Sequence, residues 1–456
     1  MKSFVNAKNP YVYLLCLCAL MVGAMLFLFS TVAGANAATA TQDKYATASE
    51  LELMEGFPPP PDKRVTRDNA MLTAPFNRWS YLNMRMLYPS ASIKAAEKAI
   101  AIKKEINKGL DTVVVEEPGS DSMVDMETFM KKTYTDSLVV IQGDKIVYEK
   151  FFNGMNANQP HQMMSVTKSF GGLLGLIAVE DGKLGEDDLV VEYIPELKDA
   201  GAFADATFGQ VLNMTNSMDF SEVYSDPKSG IRRYSAVLGW TAPEPGVEYE
   251  ENLYEYIGTL GIDKKHKHGE IFHYQTPKTD VVNWVINRVN EQPFQDIMYD
   301  KLWSKLGTEG ETYVLLDKNG TLVVGGGLNA TPNNLARFAI MMINDGKFDG
   351  KQVVSPSVIK KLADGGSIKA FDTGPESDGV VFPKGEWSYR AQWWVKHTKG
   401  MEAIVAIGVH GQWIYLDVNH RIAIIKQSSQ PLSKDEYLNG FDLNAFYAII
   451  NYLSKK

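Results

Sequence analysis

Residues 165–180 read SVTKSFGGLLGLIAVE, and this stretch decides how the rest of the chain is interpreted. Its apolar residues lie nearly all round a helical wheel, so the sequence predicts a buried helix from Ser165 to Glu180. Ser165 and Lys168 stand three positions apart at its start, which puts them on neighbouring positions of one face. A serine hydroxyl needs a nearby base or cation to act as a nucleophile, and a helix N-terminus offers N–H groups to an oxyanion.

The alternative for the same pattern is a serine that caps the helix and a lysine on the surface. As a bare four-residue pattern, this alternative would prevail. Here, however, Lys168 stands beside Phe170, Leu173 and Leu174, where a solvated ammonium group is disfavoured. From this stretch alone, a nucleophilic Ser165 and a Ser165 that only caps the helix are therefore equally well supported.

The segments around this helix carry strand and helix patterns. Residues 137–152 hold two β-rich runs around the turn pair Gly143–Asp144, which predicts a hairpin. Further strands are predicted at 403–408, 413–418 and 422–428, and further helices at 94–108, 274–290, 331–345 and 438–453. Strands near both ends with helices between them predict an α/β unit built from residues 75–183 and 331–456. Residues 184–330 would form an inserted, mostly helical unit.

Composition and charge exclude several classes of function. The chain has 456 residues and a net charge of -9, which argues against nucleic acid and anionic membrane surfaces as partners. The two histidines at 266 and 268 have no third metal ligand nearby, so we expect a solvated loop there. We predict no metal and no cofactor, and a small molecule as the substrate.

The N-terminus has the pattern of an export signal. An apolar run from Tyr11 to Gly34 follows Lys2 and Lys8 and precedes the small-residue site Ala35–Asn36–Ala37. We therefore predict a signal peptide over residues 1–37, an extension or linker over 38–74, and a periplasmic or extracellular protein. The alternative is an uncleaved anchor, because the run is long enough to span a bilayer, and it would be the only membrane contact.

A Ser–Lys nucleophile predicts two further groups. One is a residue that shuttles a proton, and Tyr274 in FHYQT supplies a candidate, although a lone tyrosine is more often a packed aromatic residue. The other is an edge strand with a backbone N–H opposite the nucleophile. The segment Gly408 to Gln412, between two strand-like runs, fits this requirement.

The chain resembles the superfamily of serine β-lactamases, penicillin-binding proteins and related esterases, on the class C side. Within it, the chain is most similar to the 6-aminohexanoate-dimer (nylon-oligomer) hydrolases. The resemblance runs in order from about residue 75 to the C-terminus. The stretches that carry it are 78–85 (RWSYLNMR), 165–170 (SVTKSF), 219–227 (DFSEVYSDP), 238–240 (LGW), 272–284 (FHYQTPKTDVVNW) and 410–417 (HGQWIYLD).

The resemblance implies a fold and a set of roles. The fold would be β-lactamase/transpeptidase-like, with an antiparallel sheet flanked by helices. Ser165 would attack the acyl carbon, Lys168 and Tyr274 would move its proton, and the N–H groups of Ser165 and Val409 would form the oxyanion hole. Tyr224 and Trp240 match substrate-cleft positions, although Trp240 could equally be a core residue.

Several positions depart from the family pattern. His410–Gly411 stands where many relatives have Lys-Thr, and a neutral histidine grips a carboxylate less strongly, which argues against efficient penicillin turnover. Ser235 replaces an acidic residue that faces the substrate's amino end, and Gly325 replaces an asparagine. We count these residues as candidate substrate contacts, and their identities argue against linear aminohexanoate amides.

The sequence therefore predicts an exported serine hydrolase that cleaves a small ester or amide through an acyl-enzyme at Ser165. One alternative is a penicillin-binding protein, D-Ala-D-Ala peptidase or β-lactamase. Another is a binding module that keeps the fold without catalysis, which the joint presence of Ser165, Lys168 and Tyr274 disfavours.

Overall fold

The computed structural model describes residues 43–377 and 379–455. The predicted signal peptide, residues 1–37, lies outside the described residues, as does the start of the predicted extension. The chain divides into two units, residues 1–46 and 47–456. In the described part of the first unit, the Ala46 N–H donates to the Asp43 carbonyl, 2.9 Å away. Among the described residues, no helix combines the length and apolar character that crossing a membrane requires.

An eight-stranded sheet lies at the centre of the second unit. Its strands are β1 (Lys103–Lys104), β2 (Thr135–Gln142), β3 (Lys145–Phe151), β4 (Trp387–Arg390), β5 (Trp393–Lys396), β6 (Ala403–Gly408), β7 (Gln412–Asp417) and β8 (Ile422–Ser428). Their order across the sheet is β4-β5-β6-β7-β8-β2-β3-β1. All neighbours are antiparallel except β1 and β3. The predicted hairpin is confirmed, and so is a sheet built from both ends of the chain.

Helices cover both faces of this sheet. The four longest are α1 (Val166–Glu180), α2 (Pro277–Asn290), α3 (Pro332–Met342) and α4 (Glu436–Ser454). On one face, Phe446 of α4 packs against Trp413 and Tyr415 of β7. The alternate residue Ile414 is also fully buried, because α1 and α3 pack against the opposite face. Side chains that alternate along a strand thus find an apolar layer on either side.

The other elements are short. The remaining strands are Ser90–Ile93, Val114–Glu116, Met123–Asp125, His161–Gln162, Thr312–Leu315, Leu328–Ala330, Lys347–Phe348 and Lys351–Gln352. The remaining α-helices are Arg67–Ala70, Asn77–Ser80, Met126–Lys132, Val190–Tyr193, Phe208–Leu212, Gly230–Val237, Leu253–Gly258, Phe294–Met298, Pro356–Ala363 and Ile368–Thr373. Single 3₁₀ turns occur at Pro61–Lys63, Met84–Met86, Lys108–Thr112 and Pro195–Leu197, and a π turn at Tyr299–Trp303.

A four-stranded sheet lies beside α1. Its order is Ser90–Ile93, Thr312–Leu315, Leu328–Ala330 and His161–Gln162. Two of these strands come from the predicted insertion, residues 184–330, and two from outside it. The boundaries of an inserted unit therefore stay a prediction, since hydrogen-bonded strands join the segments on either side of them.

The helix predicted over residues 94–108 is wrong. This segment is extended and includes only the two-residue strand β1 and the start of a 3₁₀ turn. Its backbone groups are taken by distant parts of the chain. The Ile100 carbonyl accepts from the Arg337 guanidinium, and the Glu105 and Asn107 N–H groups donate to carbonyls of β3. These tertiary hydrogen bonds outweigh a modest helical propensity.

Candidate active site

Ser165 lies at the first turn of α1, where the chain bends sharply. Met164, directly before it, has a φ of 47°, a left-handed conformation that is rare for a residue with a side chain. Met164 is almost fully buried, and its carbonyl accepts from the Thr167 hydroxyl at 2.6 Å, so the bend is well held. Such strain persists where the surroundings over-determine it, often at functional sites. Here it directs the Ser165 side chain to the wall of a cavity.

Lys168 is the immediate partner of this serine. Its Nζ lies 2.8 Å from Ser165 Oγ, and it also donates to the Gly325 carbonyl. The side chain is only 1% exposed. Burial lowers the Lys168 pKa to about 8, a shift that the charges of Glu222 and Asp280 partly oppose. A lysine of this kind reaches its neutral form near physiological pH and can accept the serine proton.

Tyr274 is the third member of the predicted group. The Lys168 Nζ lies 5.2 Å from the centroid of its ring. Burial raises the pKa of the Tyr274 phenol well above its usual value, the Glu222 charge raises it further, and the Ser165 side chain opposes both. The ring stacks on Trp394 with centroids 5.6 Å apart, so its orientation is well defined. The phenol is thus a protonated donor beside Ser165.

The prediction of an edge strand is wrong, because β6 pairs with β7 on one side and, as far as Val405, with β5 on the other. The two backbone groups predicted to form the oxyanion hole nevertheless lie at one cavity. Val409 lies in the loop between β6 and β7, and Ser165 and Val409 line the same cavity. A Cβ at Gly408 would come within 2.6 Å of the Met163 carbonyl, so the end of β6 lies directly against the segment before Ser165. Within residues 43–377 and 379–455, neither the Ser165 nor the Val409 N–H has an acceptor. Two free backbone donors beside a serine can stabilise a tetrahedral oxyanion.

The cavity beside Ser165 has a volume of about 380 Å³. Aromatic and aliphatic side chains form most of its wall, and charged groups stand among them. The apolar lining residues are Val223, Tyr224, Tyr274, Val381, Phe382, Trp394, Ile407, Val409 and Trp413. The charged ones are Glu222, Glu376, Lys434 and Glu436. A larger cavity of about 560 Å³ lies between β1 and the end of α3 and contains none of the predicted catalytic residues.

Glu222 lies in the stretch 219–227 that carries the family resemblance, but no role was predicted for it. Its carboxylate accepts hydrogen bonds from the Thr276 hydroxyl at 2.6 Å, the Thr276 N–H at 3.0 Å and the Tyr224 phenol at 3.0 Å. Glu222 therefore joins the loop at 219–227 to the start of α2. Tyr224, predicted as a substrate contact, is brought to the cavity by this bond.

Three more buried ionisable groups surround Tyr274 and Lys168. Asp280 accepts from the Gly325 N–H at 3.0 Å, and Lys278 donates to the Met214 and His273 carbonyls at 3.1 Å each. The Glu376 carboxylate accepts the Tyr274 N–H at 2.7 Å. Burial lowers the Lys278 pKa to about 7 and raises the Glu376 pKa to about 7. No role was predicted for Lys278 and Asp280, which lie four and six residues after Tyr274 within the stretch 272–284.

His410 and Gly411 are not brought to the cavity wall. The His410 ring is fully buried, with Nδ1 2.7 Å from the Gln430 carbonyl and Nε2 3.1 Å from the Ser433 hydroxyl. Burial lowers its pKa to about 4, so the ring is neutral. Gly411 has a φ of 84° and closes the turn between β6 and β7. His410 and Gly411 therefore belong to the turn and do not line the cavity, whereas the neighbouring Val409 does.

Trp240, Ser235 and Gly325 also lie outside the cavity lining. The Trp240 indole N–H donates to the Leu316 carbonyl at 3.3 Å, and the Ser235 hydroxyl donates to the Ile231 carbonyl at 2.9 Å. Both side chains are buried. Gly325 lies beneath Lys168 and contacts it through its carbonyl. The structure thus places Gly325 in contact with the lysine, whereas Trp240 and Ser235 pack within the fold.

A buried Ser–Lys pair at the start of a helix, beside the end of a strand of an antiparallel sheet, is the arrangement expected of a serine hydrolase. The Beta-lactamase family profile matches residues 125–447. A 6-aminohexanoate-dimer hydrolase from Paenarthrobacter ureafaciens is 31% identical over 360 residues, which cover 78% of this chain and 86% of that protein. The chain belongs to the β-lactamase family and is a serine hydrolase of the amidase/esterase type.

Solved structures show the same fold. A structure described as a 6-aminohexanoate-dimer hydrolase from Bacillus anthracis superposes with a TM-score of 0.76 at 24% identity, covering 86% of this chain and 97% of that one. The octameric penicillin-binding protein homologue from Pyrococcus abyssi has a TM-score of 0.53 at 18% identity, with 72% and 76% of the two chains covered. The predicted β-lactamase/transpeptidase-like fold is confirmed.

Proposed function

We propose that this chain hydrolyses a small ester or amide through an acyl-enzyme at Ser165. The observation that carries the proposal is the 2.8 Å contact between Lys168 Nζ and Ser165 Oγ at the wall of the cavity. A buried amine at this distance can accept the hydroxyl proton as the oxygen attacks an acyl carbon.

The reaction divides into two steps. In the first, the Oγ–carbon bond forms, the proton passes to Lys168, and the negative charge on the carbonyl oxygen faces the Ser165 and Val409 N–H groups. The leaving group departs with a proton from the Tyr274 phenol, which Lys168 then reprotonates. In the second step, water attacks the acyl carbon, and its proton returns through the same groups to Ser165 Oγ.

The cavity wall favours a substrate with an apolar chain next to the reacting carbonyl. Trp394, Phe382 and Val381 offer aromatic and aliphatic contacts there, and Ile407 extends them along β6. The relative from Paenarthrobacter is named for the 6-aminohexanoate dimer, whose class of linear amide is one candidate. The buried His410 provides no charge to hold a penicillin carboxylate, which favours esters and simple amides over β-lactams.

We also propose that the protein acts outside the cytoplasm. The proposal rests on the apolar run before Ala35–Asn36–Ala37. Sequencing the N-terminus of the protein recovered from the cell envelope tests it. A mature chain that begins at Ala38 is the expected result, whereas an intact N-terminus on a cytoplasmic protein would contradict it.

The substrate class is tested by assaying the full-length protein against p-nitrophenyl butyrate, a chromogenic cephalosporin and the 6-aminohexanoate dimer. We expect the ester to be turned over fastest, and this turnover to vanish in Ser165→Ala. Ser169→Ala is the matched control, because its hydroxyl lies one turn further along α1 and donates to the Gln392 carbonyl at 2.7 Å. Equal loss in both variants, or no loss in Ser165→Ala, would contradict the proposal.

A further inference from the structure

The backbone of Gly325 lies between Lys168 and a buried carboxylate. Its carbonyl accepts from Lys168 Nζ, and its N–H donates to Asp280 Oδ1 at 3.0 Å. The second Asp280 oxygen, Oδ2, accepts from the Tyr234 phenol at 2.8 Å. Asp280 and Tyr234 are 1% and 2% exposed, so water does not compete for these contacts. The N–H and the carbonyl of Gly325, which belong to successive peptide groups, are thus both held by ionisable residues.

Position 325 has no room for a side chain. A Cβ there would come within 2.6 Å of the Tyr234 phenol oxygen, 2.7 Å of Thr276 Cγ2 and 3.0 Å of Asp280 Oδ2. Only glycine allows the Asp280 carboxylate and the Tyr234 phenol to lie this close to the backbone whose carbonyl accepts from Lys168. This close approach explains the glycine and shows that the backbone at this position is tightly held.

We propose that Asp280 is a positioning residue for Lys168: through the backbone of Gly325, whose N–H it holds, it aims the lysine at Ser165, and its negative charge sets the pH at which the lysine becomes a base. The inference rests on the proposed function of Ser165 and Lys168, and it adds a residue outside the cavity to their machinery.

The charges around Lys168 support this role. Glu222 and Asp280 both favour the protonated lysine, whereas burial and the more distant Lys434 disfavour it. The remaining neighbours are the Ser165 hydroxyl and the Tyr274 phenol, which stays uncharged because burial raises its pKa. Burial also raises the Asp280 pKa, to about 6, but the Tyr234 and Gly325 hydrogen bonds and the Lys168 charge oppose it. Asp280 is thus charged at the pH where Lys168 titrates.

Asp280→Asn tests the charge without removing the shape. The amide oxygen can still accept the Gly325 N–H, while the negative charge is gone. We expect the ascending limb of the pH profile of kcat/KM for p-nitrophenyl butyrate to move to lower pH by about one unit, the scale of a close opposite charge. Tyr234→Phe, which keeps the carboxylate, is expected to move it less in the same direction.

Asp317→Asn is the matched control. Asp317 is equally buried and also accepts backbone N–H groups, those of Asn319 at 2.9 Å and Thr321 at 2.7 Å, but it does not contact Gly325. We expect its pH profile to match that of the unchanged protein. If Asp280→Asn lowered kcat/KM by the same factor at every pH and left the ascending limb of the profile at its original pH, the proposal would be overturned. Such a result would show that Asp280 has a structural role alone.

A second measurement keeps the inference separate from the proposed function. The titration of Lys168 is followed by NMR on protein labelled with [ε-13C]lysine, with Lys168→Ala to assign the signal. The midpoint is expected near 8 in the unchanged protein, as burial lowers the Lys168 pKa to about 8, and about one unit lower in Asp280→Asn. If Ser165-dependent turnover is absent, the proposed function fails, but this titration still decides the role of Asp280. Equal midpoints would overturn it.

Discussion

At the scale of single residues, Lys168 differs from a surface lysine because its ammonium group is buried and is not hydrated by solvent. Its Nζ keeps two protein partners, Ser165 Oγ and the Gly325 carbonyl, in place of a hydration shell. Desolvation favours the neutral amine, and hydrogen bonding to a carbonyl keeps that amine in place. Tyr274 is affected in the opposite sense, since burial raises its pKa and keeps the phenol protonated. In the proposed mechanism, these two shifts suit the lysine to accept a proton and the tyrosine to donate one.

This division of roles predicts the pH dependence of acylation. Because burial lowers the Lys168 pKa to about 8, the neutral form increases as the pH rises through that value. The rate constant kcat/KM should therefore rise about tenfold per pH unit below pH 8 and level off above it. Stopped-flow measurement of p-nitrophenol release between pH 5.5 and 9.5 tests this. A profile that is flat, or that falls as the pH rises, would show that Lys168 is not the base.

The phenol of Tyr274 gives a second prediction at this scale. Tyr274→Phe should lower kcat by at least about a hundredfold, the usual effect of losing an acid–base group. The matched control is Tyr389→Phe, since that ring packs edge-on against Tyr274 with centroids 6.1 Å apart and lies outside the cavity lining. Steady-state kinetics on both variants decide the matter. Comparable kcat values would mean that the tyrosine acts only as a packed ring.

At the scale of elements, α1 connects the nucleophile to the sheet. A Cβ at Gly172 would lie 1.8 Å from the Ala391 carbonyl, so the helix touches the turn between β4 and β5 backbone to backbone. The Trp393 indole N–H donates to the Ser169 carbonyl at 2.9 Å and holds the same contact. A displaced α1 would carry Ser165 away from Val409. If Ser165 is the nucleophile, as proposed, this glycine supports catalysis by holding α1 in place.

Gly172→Ala should therefore destabilise the protein by about 3 kcal/mol, the upper end of the usual cost of overpacking, because the obstacle is backbone. Gly258→Ala should be neutral or stabilising by up to about 1 kcal/mol, since no atom lies within 4 Å of the added Cβ at that helix end. Urea unfolding followed by circular dichroism measures both. A Gly172→Ala protein as stable as the parent would disprove this close packing.

The sequence predicted some elements much better than others. The hairpin around Gly143 and the helix that follows Thr331 were visible because a turn pair and a cap are local signals. Residues 94–108 were mistaken for a helix because the partners of their backbone lie far away in the chain, at Arg337 and β3. The same limit applied to His410, whose burial depends on Gln430 and Ser433.

The roles of charged residues were equally invisible in the sequence, even for Glu222 and Asp280, which lie in the stretches 219–227 and 272–284 that carry the family resemblance. Ser165 and Lys168 belong to one helix turn, so their proximity follows from spacing alone. Asp280 and Glu222 reach the site only after α2 and the loop at 219–227 have packed against α1, and a single sequence does not show that packing. Gly325 was noted at the right place but for the wrong contact, because the demand for glycine comes from Tyr234 and Thr276.

At the scale of the whole molecule, a buried ion pair joins the sheet to the last helix. Lys426 of β8 and Asp442 of α4 lie 3.1 Å apart with both side chains fully buried. The Trp413 indole N–H donates to the same carboxylate at 3.0 Å. Removing one partner of such a pair leaves an uncompensated buried charge. The pair therefore couples the last helix to the fold that holds the cavity.

Asp442→Asn should lower the free energy of unfolding by about 3–5 kcal/mol. Asp364→Asn, which breaks the exposed pair with Lys360, should cost less than about 1 kcal/mol. Thermal melts at pH 7 compare the two variants under identical conditions. Equal melting temperatures would show that the buried pair contributes no more than a surface pair.

The most direct test of the central claim is to trap the acyl-enzyme. The full-length protein is mixed with p-nitrophenyl butyrate, quenched in acid within milliseconds, digested and weighed by mass spectrometry. The account predicts one butyryl group on the peptide that contains Ser165, and none in Ser165→Ala. A butyryl group on another residue, or undiminished turnover in Ser165→Ala, would contradict it.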